Sequence, residues 1–318
     1  MIVTLTPNPA IDITYAVPTV TLGESHRVAE VHERAGGKGI NVASVLTGLG
    51  RHAVAVAQIG ADDLAAFATD LSDRGLSHRL VESPRRTRRS VAVVDDRGEA
   101  TLFNEAGEAP PDSVWMRMVE ALAALAPKAS VVTISGSLPA GAPDDLVERL
   151  TKEAHRAGLH VVLDVGGRAL ARALRARPTL VKPNRSEAEA TQLGWPRTLS
   201  PTTADLLLAL VDHGAEAAVV SDGVNGIQLL HDDVQLRAWL REPLRGNATG
   251  AGDALTASLA ADIETLGGPP QGRDAWAEVL MRAVAWSAAA VLQPIAGVVN
   301  PTDIERLMAS VEVEESLL

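Results

Sequence analysis

The sequence predicts a doubly wound α/β fold, a mainly parallel sheet flanked by helices, with a smaller β-sheet element attached. Three observations carry that prediction. From residue 112 onward, short apolar runs alternate with segments of helical periodicity, the pattern of parallel strands joined by crossover helices. Two glycine loops, Gly36-Gly-Lys-Gly39 and Gly250-Ala-Gly252, each open an apolar helix. Two further stretches, about 10–35 and 85–106, carry short, partly polar strands instead, and these supply the smaller element. A chain of 318 residues can bury a large core. With no repeat, low-complexity segment or clear linker, residues 1–318 read as one α/β domain carrying that small β lid.

In chain order, Ile2 to Leu5 is a short apolar strand that Thr6-Pro-Asn-Pro9 ends with turn chemistry. Ile11 to Val17 and Arg27 to Val31 are short, partly polar strands. In the helix after Gly36-Gly-Lys-Gly39, Val42, Val45, Leu46 and Leu49 recur at helical spacing, and Gly50 caps it. Val54 to Ile59 is a buried strand, and Asp62 to Arg74 an amphipathic helix ended by Gly75. Ser90 to Val94 and Ala100 to Asn104 flank Asp95-Asp-Arg-Gly98 as a β-hairpin. After Pro110-Pro111 come helix 112–126, strand 130–134, helix 143–157, strand 159–164, helix 167–176 and strand 179–182. Helices near 185–193 and 202–213 precede strand 216–221. Strand pieces near 226–230 and 234–237 lead to the helix of Asp253, and helices near 275–292 and 302–310 follow. Glu312 to Leu318 reads as a frayed tail.

Bulk composition narrows the function. A net charge of −11 disfavours nucleic acid as a partner. With no cysteine there is no disulfide framework, no thiolate metal site and no cysteine nucleophile, which suits the cytoplasm. The N-terminus lacks a signal peptide's basic region and long apolar core, and no uncharged apolar run reaches membrane-spanning length.

In such sheets ligands sit at the carboxyl ends of the strands, and the candidate residues fall there. Gly250, Ala251 and Gly252 would let an anion approach the unpartnered amides of a first helical turn, with Asp253 at the edge of the same pocket. A carboxylate beside an anion hole is kinase chemistry: it takes a hydroxyl proton while the amides hold charge on the transferred phosphoryl. The same residues also serve as an ordinary helix start. Gly37 and its neighbours would admit a sugar to the backbone, Asn41 would bond its hydroxyls and Lys38 could meet a phosphate; a flexible turn with a solvated lysine is the alternative. Asp12 is either a ligand of vicinal hydroxyls or an exposed loop aspartate. Asn184 and Glu187, three apart at a helix start, suit Mg²⁺ through water and equally form a capping pair. One of Arg85, Arg86, Arg88 and Arg89 could grip a substrate phosphate. Ser135 and Ser137 could donate to phosphate or simply make a turn.

Together, Asn8-Pro-Ala-Ile-Asp12, Gly36-Gly-Lys-Gly-Ile-Asn-Val-Ala43, Ser135-Gly-Ser-Leu-Pro139, Lys182-Pro-Asn-Arg-Ser-Glu187 and Thr249-Gly-Ala-Gly-Asp253 resemble, in order, the motifs of the ribokinase-like pfkB sugar kinases. The chain is most similar to the branch of 1-phosphofructokinases, tagatose-6-phosphate kinases and minor 6-phosphofructokinases. The resemblance implies a ribokinase fold with a β lid that often forms a homodimer interface. It implies transfer of the ATP γ-phosphoryl to a phosphorylated ketohexose with Mg²⁺, and K⁺ as a further candidate ion. It implies Asp253 as catalytic base and Gly250, Ala251 and Gly252 as the anion hole. Sugar ligands would be Asp12, Gly37 and Asn41, with Lys38, Arg88 and Ser137 near the sugar phosphate. Asn184 and Glu187 would serve the Mg²⁺–phosphate element, and Lys182, Asn184, Ser221, Asp222, Gly223, Val224, Gly226, Gly250 and Gly252 would bind the nucleotide, with Ser221 to Gly226 as its loop. Three departures stand out: Ala248 before Thr249, Asp222 where relatives are often apolar or small, and Gly166-Gly167 in place of a serine pair. A non-catalytic sugar-phosphate sensor on the same scaffold is the alternative. A nicotinamide oxidoreductase fails for want of the dinucleotide fingerprint.

Overall fold

A computed structural model of the chain describes residues 1–28, 30–97, 100–194 and 200–315. Its strands in chain order are β1 (Ile2–Thr6), β2 (Ala10–Ala16), β3 (Glu30–Gly36), β4 (Ala53–Gly60), β5 (Ser77–Ser83), β6 (Arg88–Val94) and β7 (Ala100–Asn104). Then come β8 (Val131–Ser135), β9 (His160–Asp164), β10 (Leu180–Val181), β11 (Ala217–Ser221), β12 (Ile227–His231), β13 (Val234–Leu240) and β14 (Val311–Glu315). The helices are α1 (Lys38–Gly48), α2 (Leu64–Asp73), α3 (Asp112–Leu125), α4 (Leu146–Arg156) and α5 (Gly167–Ala173). They continue as α6 (Arg185–Glu189), α7 (Thr203–Asp212), α8 (Ala251–Leu266), α9 (Arg273–Val291) and α10 (Pro301–Met308).

Ten strands form the central sheet in the order β14-β13-β12-β11-β10-β9-β8-β1-β4-β5. The stretch from β11 to β5 is parallel, and β12, β13 and β14 add antiparallel pairs at one edge. This is the mainly parallel sheet that the alternation predicts. Each central strand is apolar on both faces because both faces are covered. Ile2, Ala55, Ala57, Val162 and Val219 pack towards α1, α8 and α9, while Val3, Leu5, Val56, Ile134 and Leu163 pack towards α3, α4 and α7. Burying one Leu- or Ile-sized side chain stabilises by roughly 1.5–3 kcal/mol, so the two layers dominate the fold. Helix α8 is buried on all sides from Asp253 to Ile263, which explains its small-residue, uniformly apolar sequence. No helix among the described residues is long and apolar enough to cross a membrane.

A second sheet of order β3-β2-β6-β7 stands apart from the first. Its register places Arg34, Asp12, Ser90 and Asn104 in one cross-strand row, hence on one face. Two carboxylates at the ends of the 61–73 segment tie it to the body. Asp70 accepts from the Ala35 amide at 3.1 Å while Arg74 donates to the Ala35 carbonyl at 3.3 Å. Asp63 takes both Arg89 terminal nitrogens, at 3.1 and 2.9 Å, and the Thr87 amide at 3.2 Å.

Four expectations need correction. Strand β5 went unread, because Ser77-His-Arg-Leu-Val-Glu-Ser83 is mostly polar; it is an edge strand, held by parallel pairing with β4. Arg27 to Val31 is displaced to Glu30–Gly36, since pairing with β2 runs on to the residue before α1 opens. The helix expected over 185–193 stops at Glu189, and Gln192 has a left-handed φ of 54°. The tail expected to fray is strand β14 to Glu315, paired to β13, with Arg241 donating to Glu312 at 2.7 Å. The expectation for residues 316–318 lies outside the described residues, as does that for Gly98 of the β6–β7 turn.

Candidate active site

The chain passes from β1 to β4 and β5 on one side and from β8 to β9, β10 and β11 on the other. The order therefore reverses between β1 and β8, where open α/β sheets form their ligand crevice. A cleft of about 810 Å³ lies there, bounded in part by Asn8, Lys38, Arg88, Ser137, Gly166 and Glu187.

Helix α8 enters the site through Gly250, whose φ of 87° glycine tolerates, and an added Cβ there would lie 2.7 Å from Ala296 Cβ. Gly252 and Asp253 are the second and third helical residues. The first i−4 bond is made only by the next amide, Ala254 to Gly250 at 2.9 Å. Asp253 is buried, and its Oδ2 accepts from Asn41 Nδ2 at 2.8 Å. Burial first, then the nearby negative charge of Asp164, pushes its carboxyl up to about 7, against Lys38, the Asn41 hydrogen bond and Lys182. Asn41 Oδ1 is buried with no hydrogen-bond partner among the described residues.

Asn41 and Lys38 come from α1, which can lie close on β1 because of glycine. A Cβ on Gly39 would sit 2.4 Å from Thr6 Oγ1, and Gly37, at φ 114°, turns the chain into the helix. Lys38 Nζ reaches Asp164 Oδ1 at 3.2 Å and Glu187 Oε1 at 3.0 Å. Asp164, at the carboxyl end of β9, is fully buried, with Lys182 Nζ at 3.4 Å and the Thr256 hydroxyl donating at 3.1 Å. Burial opposes its ionisation, but Lys182, Lys38 and these hydrogen bonds outweigh that and hold it below the usual carboxylate range. Burial likewise opposes charge on Lys38, and Asp164, Glu187 and Asp253 together hold its ammonium well above the usual lysine value.

Asn184 caps α6. Its Oδ1 accepts from the Glu187 amide at 2.9 Å and from Ser186 Oγ at 2.7 Å, while Glu187 Oε2 accepts from the Asn184 amide at 2.9 Å. The capping pair is therefore formed, and Glu187 keeps Oε1 facing Lys38 and Asp164. Two carboxylates bridged by one ammonium are hard oxygen donors that fit Mg²⁺ held partly by water and phosphate. No group of three or more His, Cys, Asp or Glu that could hold a metal occurs among the described residues.

The second sheet contributes Asp12 and Arg88. Burial pushes the Asp12 carboxyl up to about 6, against Arg34, Arg88 and Arg74. Gly36 lets the chain pass it: a Cβ there would lie 2.1 Å from Asp12 Oδ2. Arg88 donates to the carbonyls of Asn8 and Glu105, both at 3.2 Å, and Asn8 Nδ2 donates to Ser137 Oγ at 3.3 Å. Arg86 and Arg89 instead serve Glu105 and Asp63.

Asn184, Ser221, Asp222 and Gly223 border a separate cleft with Arg185. Asp222 accepts from Asn225 at 3.0 Å, Val224 is exposed, and Gly226, at φ 86°, passes Ala238 where a Cβ would meet the carbonyl at 2.2 Å. Lys182 stands apart from that loop, buried against Asp164. Sequence reasoning ended a strand at Asp164 but gave it no role, gave none to Thr256, and placed Asn8 among the candidates after the first strand without assigning it a task. Asp164's place at a strand's carboxyl end was the available signal.

The arrangement joins a buried carboxylate of raised pKa, open amides at a helix start, and cations facing a cleft. That suits removal of a hydroxyl proton beside a phosphate. Residues 5–303 match the model of the pfkB family carbohydrate kinases. The chain is 35 % identical over 266 residues to a 1-phosphofructokinase of Xanthomonas campestris pv. campestris, covering 82 % of this chain and 83 % of that protein. It is 30 % identical over 316 residues to a 1-phosphofructokinase of Haemophilus influenzae, covering 98 % and 97 %. Phosphofructokinase-2 from Escherichia coli in complex with fructose-6-phosphate superposes with a TM-score of 0.82 at 25 % identity over 97 % of this chain and 98 % of that one. That protein is also known in a tetrameric inhibited form and in complex with potassium. A ribokinase from Thermotoga maritima shares the fold, with a TM-score of 0.74 at 18 % identity over 97 % and 99 % of the chains.

Proposed function

The chain belongs to the pfkB family of carbohydrate kinases, and on that premise we propose that it transfers the γ-phosphoryl group of ATP to the free hydroxyl of a phosphorylated ketohexose. The observation that carries this reading is the buried Asp253 carboxyl, raised to about 7 and hydrogen-bonded to Asn41 at the opening of α8. A base titrating near neutrality is partly ionised at working pH and basic enough to take the hydroxyl proton. The hydroxyl oxygen then bonds to the γ-phosphorus as the bond to the ADP oxygen breaks, and ADP leaves with that electron pair. Of the anion hole expected at Gly250, Ala251 and Gly252, the Ala251 amide is bonded to the Ala248 carbonyl, so Gly252, with the Asp253 amide beside it, faces the developing charge. Mg²⁺, when bound, neutralises phosphate charge; Glu187, with Asp164 beside it, would hold it, largely through water.

The orphaned Asn41 Oδ1 supports hydroxyl recognition with Asp12 and the Gly37 backbone. Lys38, Arg88 and Ser137, all lining the cleft, support capture of the sugar phosphate. The cleft of Ser221, Asp222 and Gly223 supports nucleotide binding, with Val224 and Gly226 completing that loop. The acceptor is one of fructose 1-phosphate, fructose 6-phosphate and tagatose 6-phosphate, the first favoured by the two 1-phosphofructokinase relatives. The second sheet acts as the lid and pairs with that of a second copy. Its face opposite Asp12 carries Ile13, Tyr15, Val91 and Val93, with Val31 51 % and Phe103 59 % exposed. Light scattering in solution tests the dimer, and a monomer rejects it.

The deciding experiment is ADP release with each of the three sugar phosphates, in Mg²⁺ with and without K⁺. One acceptor should turn over far faster than the others. Sugar-phosphate binding without ADP formation would make the protein a sensor and reject the kinase reading.

A further inference from the structure

The sequence uses lysine only at positions 38, 128, 152 and 182, and two of the four converge on Asp164. They differ in freedom. Lys182 Nζ, 3.4 Å from Asp164 Oδ1, has 3 % of its side chain exposed; Lys38 Nζ, 3.2 Å from the same oxygen and 3.0 Å from Glu187 Oε1, has 37 % exposed. The Lys38 stem runs past Gly136, where an added Cβ would be 3.7 Å from Lys38 Cβ, in the cleft that Arg88 and Ser137 also line. An ammonium is a compact cation on a flexible four-carbon stem, and this one fills the gap between two carboxylates.

Neither carboxylate needs Lys38 to stay in place. Asp164 keeps Lys182 and the Thr256 hydroxyl, and Glu187 keeps the Asn184 amide through its other oxygen. Glu187 would offer a free, already oriented Oε1 once the ammonium moved, while Asp164 Oδ1 would keep Lys182 alone. A divalent cation and the Lys38 ammonium cannot occupy the same space beside Glu187 Oε1, because at such separations their repulsion is large.

We propose that Lys38 is an exchangeable counter-ion. It holds the Asp164–Glu187 gap in the metal-free protein, and Mg²⁺ arriving with the nucleotide displaces it towards Arg88 and Ser137, where it meets the phosphate of the sugar. The inference rests on the sugar-phosphate kinase reading above. Its consequence is that the metal and the sugar phosphate favour each other's binding, since one site releases the group that the other uses, and the linkage is reciprocal.

The test is calorimetric titration of the full chain with fructose 1-phosphate, fructose 6-phosphate and tagatose 6-phosphate. A non-hydrolysable ATP analogue is present, with either Mg²⁺ or EDTA. Mg²⁺ should tighten sugar-phosphate binding about tenfold in the natural protein and less than about twofold in Lys38→Met, each compared with its own EDTA arm. Equal affinities in the two arms of the natural protein overturn the exchange. Undiminished coupling in Lys38→Met also overturns it, because Mg²⁺ would then act only by screening nucleotide charge. Independently of any variant's folding, the lysine Nζ resonances of isotope-labelled natural protein should show one signal that shifts on adding Mg²⁺ with the analogue. The same signal should shift again with sugar phosphate. Four signals indifferent to Mg²⁺ with the analogue overturn the exchange. No sugar-phosphate binding in any arm would sink the kinase reading instead, and the Mg²⁺-dependent shift would still decide the exchange.

Discussion

Helices α1 and α8 both open on a glycine, both lack a side-chain cap, and both bring a charged side chain to the cluster around Asp164. They carry opposite charges into it. Helix α8 has Asp253 in its first turn, the sign that a helix dipole favours, whereas α1 begins with Lys38 and has no acidic residue there. A cation at a helix N-terminus costs about 0.3–1 kcal/mol, and here Asp164 and Glu187 offset it. Dipole compensation thus explains neither helix. For α1 the sign is wrong, and for α8 an exposed carboxylate would serve as well as a buried one of raised pKa. What the two helices share is mutual stabilisation: the Lys38 ammonium and the Asp253 carboxylate favour each other's charge, and the Asn41 side-chain amide, one turn beyond Lys38, donates to Asp253.

The largest effect should come from removing the α8 charge. Asp253→Asn should lower kcat by about 10²–10⁴-fold while sugar-phosphate affinity changes little; near-normal turnover in ADP release breaks the assignment. Next, because the base must be deprotonated, kcat/KM should rise with pH and level off above about 7. A profile flat from pH 5 to 9 would place the base elsewhere. Breaking the link between the helices by Asn41→Leu should reduce kcat by roughly tenfold and move that midpoint upward, since a hydrogen bond to the charged form is lost. A smaller effect concerns stability. The folded pKa of Asp253 lies above its unfolded value, so the folded state binds more protons between about 4 and 7, and this group's contribution to stability falls as pH rises through that window. Asp253→Asn should therefore raise Tm by roughly 2–4 °C at pH 8, with the gain vanishing below about pH 4. Calorimetry at the two pH values checks the sign.

Much of this was legible beforehand, for physical reasons that differ by region. The parallel body was readable because both-face burial writes continuous apolar runs into strands such as Ala53–Gly60. The start of α8 was readable because Gly250-Ala-Gly252 leads straight into an apolar run of helix formers. Strand β5 was not, since its stability comes from backbone pairing with β4 rather than from side-chain pattern. Nor was β14, whose Glu312 and Glu314 look like a solvated tail until Arg241 and Arg237 are seen across the ladder. Asp164 escaped notice because its partners, Lys38, Lys182 and Thr256, are far away in sequence; the fold alone makes it a shared anchor. Asn184 illustrates the reverse: both readings of the Asn-x-x-Glu spacing were open, and the capping geometry is present while Glu187 still keeps one oxygen for the cleft.

The Ala35 peptide, held on one side by Asp70 and on the other by Arg74, works as a hinge pin, and the Asp63–Arg89 fork is a second. Two pins define an axle. On the lid reading proposed above, the small sheet would swing over the crevice about that line, and sliding along it would break a bond at each end. Hydrogen exchange at the Ala35 amide should accordingly stay slow whether or not sugar phosphate is present, while exchange in 88–104 responds to it; a fast Ala35 amide would mean the axle is not there.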